Sequence, residues 1–357
     1  MGSHFSSSDV KVITSNHSYI GMDGSGGTLE KKMFSVAATK GGKVIPECLL
    51  GGKDNRESLY DYDSIKVDST YEFFGAHLQY RNVKVEEAYL LHIQYWANFY
   101  HFMMELLPNM YYYKKTLLEK GCKIMVPTRN CLIDGCLEAF SIPDEMVINL
   151  KLKNLHDEKK RRCYSVSKFH YSSTASSPGN SDLQVEAFKS FQKQFIHTND
   201  TTSPKKIYIS RADKADSRFN NSATGKDRTI SNESEVLNLM MRCGYEIHAV
   251  GTKTFEEKAK LLSNAETIVM PHGGNIINCC LAKNLKKLII LTYYHGQFCD
   301  NIFCNFIKAL LPNVEVVFVR GTQDDMDRKT GRSSDGKIHS QVPFNIEVDE
   351  LAKAISS

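Results

Sequence analysis

Residues 268–281 read IVMPHGGNIINCCL. An apolar run enters a His-Gly-Gly turn and leaves it, with no spacer, in a second apolar run. The first run has the short, β-branched character of a buried strand and the second the length of a buried helix, so the stretch predicts a strand-turn-helix join. Joins of this kind belong to architectures in which helices return the chain to successive parallel strands. The flanking sequence repeats the pattern. Upstream, KKIYISR (205–211) reads as a strand, ESEVLNLMMRCG (233–244) as an amphipathic helix ended by glycine, and YEIHAV (245–250) as a strand. TFEEKAKLLSNA (254–265) follows as a helix opened by a Thr254/Glu257 capping box. Downstream, KKLIIL (286–291), DNIFCNFIKALL (300–311) and VEVVFVR (314–320) continue as strand, helix and strand. This alternation demands a parallel sheet with right-handed crossovers, a Rossmann-like layer structure.

The N-terminal half alternates less regularly. Strand-like VEEAYLLHI (85–93), a long helix over about residues 98–120, strand KIMVP (123–127), a short helix near Leu137, and strand-like MVINLKL and CYSVSKFHY predict a second α/β domain, preceded by irregular arms before Val83. Two polar, Ser/Thr/Pro-rich stretches, YSSTASSPGNSDLQ and HTNDTTSPKK, mark linkers and put the domain boundary between about residues 174 and 204. A terminal helix in PFNIEVDELAKAIS is expected to dock back on either domain. The organisation read from the sequence is therefore residues 1–190, 200–335 and 336–357.

A length of 357 residues suits two domains, and 41% hydrophobic with 24% charged residues is the composition of a chain that buries a core. Its 45 basic and 41 acidic residues nearly balance, so no nucleic-acid footprint is indicated. No apolar run reaches the roughly 20 residues that span a bilayer, and no secretory signal pattern opens the chain. A cytoplasmic setting is expected, the MGSH start having the look of a purification remnant that could have replaced a natural anchor or signal. The ten cysteines form no CxxC pair and no regular framework, which predicts reduced thiols and no structural metal.

Ligands of open parallel sheets bind beyond the carboxyl ends of the strands, where helix N-termini present backbone N–H groups. The turn His272-Gly273-Gly274-Asn275 sits at such a point. Its two glycines can let backbone approach a phosphate, with His272 and Asn275 as donors, or can serve chain reversal alone. Strand IYISR ends in Ser210 and Arg211, and the loop after it carries Arg218 and Arg228. Guanidinium groups suit bidentate phosphate recognition, although each can equally be a solvated charge. In YWANFYHFMMELLPNM, His101 and Glu105 stand four apart on a helix, with Asn98 a turn earlier and Phe102, Leu106 and Met110 as an apolar stripe. The pair can be a general acid/base or a hydrogen bond at a core edge. Asp61-Tyr62-Asp63 spells DxD among polar arm residues with no strand feeding it, and the acidic run at 324–327 reads as a solvated turn. No P-loop, GxGxxG after a first strand, or GxSxG elbow is present.

Together these stretches resemble glycosyltransferase family 61. The matching residues are Asn98, Tyr100, His101 and Glu105 in NFYHFMMELLP, then IYISR with RTISNE (228–233), then LLSNAETIVMPHGGNIINCCL (261–281). The resemblance implies a GT-B architecture, two Rossmann-like domains with a cleft between them. It also implies inverting transfer from a UDP-sugar, a pentose such as xylose or N-acetylglucosamine, to a glycan or glycoprotein hydroxyl, with no cofactor and no essential metal. Residues 1–190 would be the acceptor side and carry the NxYHxxxE helix, and residues 200–335 the donor domain. Ser210, Arg211, Arg218, Arg228, His272, Gly273, Gly274 and Asn275 would bind the donor, Glu105 would be the base, and His101 would orient it or touch the donor. The family commonly shows His-Gly-Ala-Gly where this chain has His-Gly-Gly-Asn. A metal-dependent transferase using Asp61 and Asp63, or a nucleotide- or glycan-binding module without catalysis, are the alternatives.

Overall fold

The computed structural model describes residues 4–17, 32–39, 72–73, 76–77, 81–91, 99–127, 129–150, 162–172, 182–195, 203–211, 230–251, 253–293, 297–323 and 343–357. The chain divides into two compact units, one of residues 1–96 with 105–177 and the other of residues 97–104 with 178–357. The short segment 97–104 thus belongs with the C-terminal unit, although the helix it opens continues into the N-terminal one.

In the N-terminal unit the strands are β1 (His4–His17), β2 (Lys32–Thr39), β3 (Glu72–Phe73), β4 (Ala76–His77), β5 (Arg81–Leu90), β6 (Lys123–Val126), β7 (Val147–Asn149) and β8 (Arg162–Ser172). Six of them form one sheet in the order β2-β1-β8-β5-β6-β7. Its β8-β5-β6-β7 part is parallel, while β1 and β2 extend it antiparallel. The sequence reading gave the residues before Val83 as irregular arms. The stretches SSSDVKVITS and MFSVAAT become strands by pairing, β1 on β8 and β2 on β1. Ala88, Leu90, Met125, Tyr164, Val166 and Phe169 are buried together as this unit's core.

The helix expected over 98–120 is broken into segments of different geometry. The α-helical turn α1 (Phe99–His101) runs into a π-helical segment, Phe102–Leu106, and then into α2 (Leu107–Thr116). Pro108 supplies the cause. It has no N–H to offer the carbonyl four residues back, and its ring crowds that carbonyl. The carbonyl is that of Met104, and the buried Gln184 side chain supplies the missing donor at 2.9 Å. Phe102, Leu106 and Met110 are fully buried, as their spacing predicts. The short helix near Leu137 is α3 (Cys131–Ala139), with Asn130 accepting from the Ile133 N–H as its N-cap.

The C-terminal unit follows the expected alternation. Helix α4 (Asp182–Phe195) leads into β9 (Lys206–Ser210), α5 (Glu233–Arg242), β10 (Glu246–Ala249), α6 (Phe255–Leu262), β11 (Thr267–Pro271), β12 (Lys287–Tyr293), α7 (Gln297–Leu310), β13 (Glu315–Gly321) and α8 (Val348–Ser356). All five strands are parallel, in the order β10-β9-β11-β12-β13. The Rossmann-like α/β layering read from the sequence is thereby present. Interior strand β12 is buried at every position, as a parallel strand covered on both faces must be. Its Leu288, Ile289, Ile290 and Leu291 are each fully buried, worth about 1.5–3 kcal/mol apiece on the usual transfer scale. The Thr254/Glu257 capping box forms reciprocally, and Gly244 ends the α5 turn at φ 75°.

One element differs in kind. The apolar run after the His-Gly-Gly turn was expected to be an α-helix and is a 3-10 helix, Gly274–Leu281. Six consecutive residues from Ile276 to Leu281 are buried, so packing on all sides sets its path, and the Asn278 amide bonds the Asn275 carbonyl at 2.9 Å, three residues back. Helix α8 lays Leu351 into the core of the same unit, beside Phe344 and Ile346. No described helix is long and apolar enough to cross a membrane. Cys122, Cys131, Cys136, Cys243, Cys279, Cys280 and Cys304 are free thiols.

Candidate active site

With β9 as the first strand of its sheet, the order is 2-1-3-4-5, and the chain leaves the first and third strands in opposite directions. The carboxyl ends of β9 and β11 therefore flank the crevice where open α/β sheets take their ligands. Ser210 ends β9 and Arg211 follows it, while His272, Gly273 and Gly274 follow β11. Arg211 Nη1 donates to the His272 carbonyl at 2.9 Å, tying the two strand ends together.

The two glycines of the turn are needed for different reasons. Gly273 has φ 144° and ψ −174°, a backbone region essentially closed to side-chain-bearing residues. Gly274 is constrained by packing: a Cβ there would stand 2.9 Å from the Cβ of Tyr100. Hence α1, carrying Tyr100 and His101 from far upstream, lies directly on the turn within the C-terminal unit. Phe99 anchors it, with the Lys258 ammonium 4.4 Å from its ring centroid and the Phe255 ring 6.3 Å away.

Behind the turn, His272 is buried and its N–H bonds the Leu291 carbonyl at 2.7 Å, continuing the β11–β12 pairing past Pro271. Its ring meets the edge of Tyr293 at 5.6 Å, and Tyr293 in turn meets Phe344 at 5.6 Å. Phe344 comes from the segment preceding α8. That segment is fixed by paired bonds between Thr322 and Asn345, 2.9 and 2.8 Å, and by the Asn232 side chain, which both donates to and accepts from the Ile346 backbone at 2.9 Å. At Gly321 a Cβ would lie 2.0 Å from the Asn345 oxygen, so only glycine lets this segment close over the sheet.

Glu233, at the start of α5, is a site residue that sequence reasoning passed over. Its carboxylate accepts from Ser210 Oγ at 3.0 Å and from the Tyr208 hydroxyl at 3.5 Å. Burial, with the Glu233 charge beside it, pushes the Tyr208 phenol well above its usual range, so it remains a donor. The signal lay in RTISNE, where an acidic residue opens the helix after β9. Burial likewise pushes the Cys279 thiol up to about 12, which leaves it no part as a nucleophile.

The site residues expected from sequence are thus distributed unevenly. Ser210, Arg211, His272, Gly273, Gly274, Asn275, Tyr100 and the backbone of His101 belong to one unit. Glu105 lies in the π-helical segment and is grouped with the N-terminal unit. Asn98, Arg218, Arg228, Asp61 and Asp63 lie outside the described residues.

The family described as glycosyltransferase 61 matches residues 99–289, more than half of the chain, from α1 through the site turn into β12. The chain belongs to glycosyltransferase family 61. The matched span begins with the helix carrying Tyr100, His101 and Glu105 and includes Ser210, Arg211 and the His272–Asn275 turn. Membership makes this protein a glycosyltransferase, working between a sugar donor and a glycan acceptor. No curated protein matches the chain.

Proposed function

We propose that this glycosyltransferase moves a pentose such as xylose, or N-acetylglucosamine, from a UDP-sugar to a hydroxyl of a glycan or glycoprotein, with inversion and without a metal at the donor. The observation that carries the donor half is the junction of β9 and β11, where Arg211 is locked to the His272 carbonyl beside Gly273 and Gly274. A diphosphate leaving group gathers negative charge as the glycosidic bond breaks. A fixed guanidinium and backbone N–H groups at the start of the 274–281 turn stabilise that charge with no reorganisation. Arg218 and Arg228 join them in this reading. In the GT-B arrangement that the reading carries, Glu105 takes the proton of the acceptor hydroxyl, a contribution of roughly 100- to 10,000-fold, and His101 orients it. One displacement at the anomeric carbon inverts its configuration.

A thermal-shift panel of UDP, GDP, CMP and their sugar conjugates, with and without chelator, tests the donor half. A ligand at about 100 times its Kd stabilises by about 2.7 kcal/mol. UDP and one UDP-sugar should do so in chelator; a response that needs a divalent ion moves the reading to Asp61 and Asp63, and silence from every nucleotide overturns it. Glu105→Gln should abolish transfer and keep UDP binding, and near wild-type turnover in that variant would remove Glu105 as base.

A further inference from the structure

Away from the donor turn, the N-terminal sheet gathers three metal-ligating side chains that lie far apart in sequence. Glu87 is on β5, Cys122 immediately precedes β6, and His170 is on β8. The register explains the meeting. Glu87 pairs with Lys168 and Tyr89 with His170 across β5 and β8, while Ala88 pairs with Lys123 across β5 and β6, which sets Cys122 opposite Glu87. One ligand atom from each residue lies within 4.8 Å of the others. Glu87 Oε1 is 2.7 Å from His170 Nε2 and 3.0 Å from the Lys168 ammonium. Cys122 forms the buried floor, and its carbonyl accepts from the buried Tyr113 hydroxyl at 2.7 Å, which fixes the residue in place.

We propose that Glu87, Cys122 and His170 form a site for a thiophilic divalent cation, zinc by its ligand chemistry. Thiolate, imidazole and carboxylate are the three side chains that zinc takes, and three protein ligands leave a fourth, tetrahedral position to water. Zinc bonds of about 2.0–2.3 Å put tetrahedral ligand atoms about 3.5 Å apart, so the side chains need shift by no more than about 1 Å. The charge also fits, because the site already holds a carboxylate compensated by a cation. Lys168, whose side chain is 57% exposed, swings into solvent, and the metal takes the place of its ammonium beside Glu87. Cys122 gives up its thiol proton to solvent as the sulfur–metal bond forms. The Glu87 and His170 side chains are 20% and 13% exposed, which leaves the ion a way in. Once bound, it clasps the adjacent strands β8 and β5 and the chain entering β6.

The test uses the full chain, stripped with chelator and desalted, then titrated with cobalt(II) as spectroscopic probe and zinc for stability. A near-ultraviolet thiolate-to-cobalt charge-transfer band should saturate at one equivalent, and zinc at about 100 times its Kd should raise the unfolding temperature by about 5 °C. Cys122→Ser should remove the band, and His170→Asn should weaken binding at least about 10-fold with the fold intact by circular dichroism. No band in the wild type, a band of equal strength in Cys122→Ser, or unchanged affinity in His170→Asn would each overturn the proposal. The two variants make it testable even if one fails to fold. UDP binding, read separately on the same samples, bears only on the donor site.

Discussion

Replacing Gly274 with alanine adds one methyl group at the contact between α1 and the His272–Asn275 turn. That methyl would stand 2.9 Å from the Tyr100 Cβ, against the roughly 3.5–4.0 Å of an ordinary carbon contact. No rotamer relieves the overlap, because both atoms are fixed by their backbones. Either α1 or the turn must therefore move by most of an ångström. Overpacking of this kind costs about 1–3 kcal/mol. The φ of Gly274 lies outside the left-handed range, so alanine also returns about 0.4–1 kcal/mol by restricting the unfolded chain. The net expectation is a loss of about 0.5–2.5 kcal/mol, together with weaker UDP binding, because the displaced backbone is the one proposed to hold the diphosphate. Calorimetric unfolding and a UDP titration measure the two effects. A double-mutant cycle isolates the cause: in a Tyr100→Gly background the opposing Cβ is gone, and Gly274→Ala should be neutral or slightly stabilising. Additive effects of the two substitutions would refute the argument that Tyr100 is why residue 274 is glycine.

Four further outcomes are expected. Arg211→Ala should lower UDP affinity sharply and Arg211→Lys should not restore it, since an ammonium cannot both hold the His272 carbonyl and present a second donor edge; equal affinity in the lysine variant, by titration calorimetry, would contradict this. Gly321→Ala drives a methyl onto the Asn345 oxygen at 2.0 Å and should break the Thr322–Asn345 pair, costing about 2–4 kcal/mol in denaturant unfolding and loosening Phe344 behind Tyr293. Gln184→Leu leaves the Met104 carbonyl without the donor that Pro108 cannot supply, for about 1–3 kcal/mol in the same assay. The Lys286 and Lys205 ammonium groups hold the Glu266 carboxyl down at about 2, from an ordinary 4.5. Its folded-state value being depressed, its contribution is complete above about pH 4.5 and fades as pH falls toward 2. Glu266→Gln should therefore narrow the gap to wild type only in that window, as followed by denaturation midpoints against pH.

Much of the C-terminal sheet was legible because its signals are local. Short β-branched runs, helices of 3.6-residue period, the Thr254/Glu257 box and a glycine after α5 each depend on residues within a turn or two of one another. The same locality made the His272–Asn275 turn and Arg211 stand out as strand ends, and a strand end in a parallel sheet is already a candidate site. What the chain did beyond a few residues was not legible. Pro108 sits inside the stretch read as one long helix, and the π-helical segment beside it, relieved by Gln184, depends on a side chain 76 positions away from it by number (184 against 108). The run 274–281 has helical length, and its 3-10 form comes from being enclosed on every side.

By itself, then, the amino-acid sequence determined the succession of the C-terminal strands along the chain, the capping of their helices and the two glycines that mark the turn. Tertiary structure decided why those glycines are there, Gly273 for its backbone angle and Gly274 for Tyr100. It also decided that Glu233 holds Ser210, that Gly321 admits the segment carrying Phe344, and that Glu87, Cys122 and His170 share one face of a sheet. The physical reason is common to all of these. Periodicity and capping are properties of a segment, whereas a contact between distant residues exists only once strand order and register have been chosen, and those are settled by the burial of the whole chain at once.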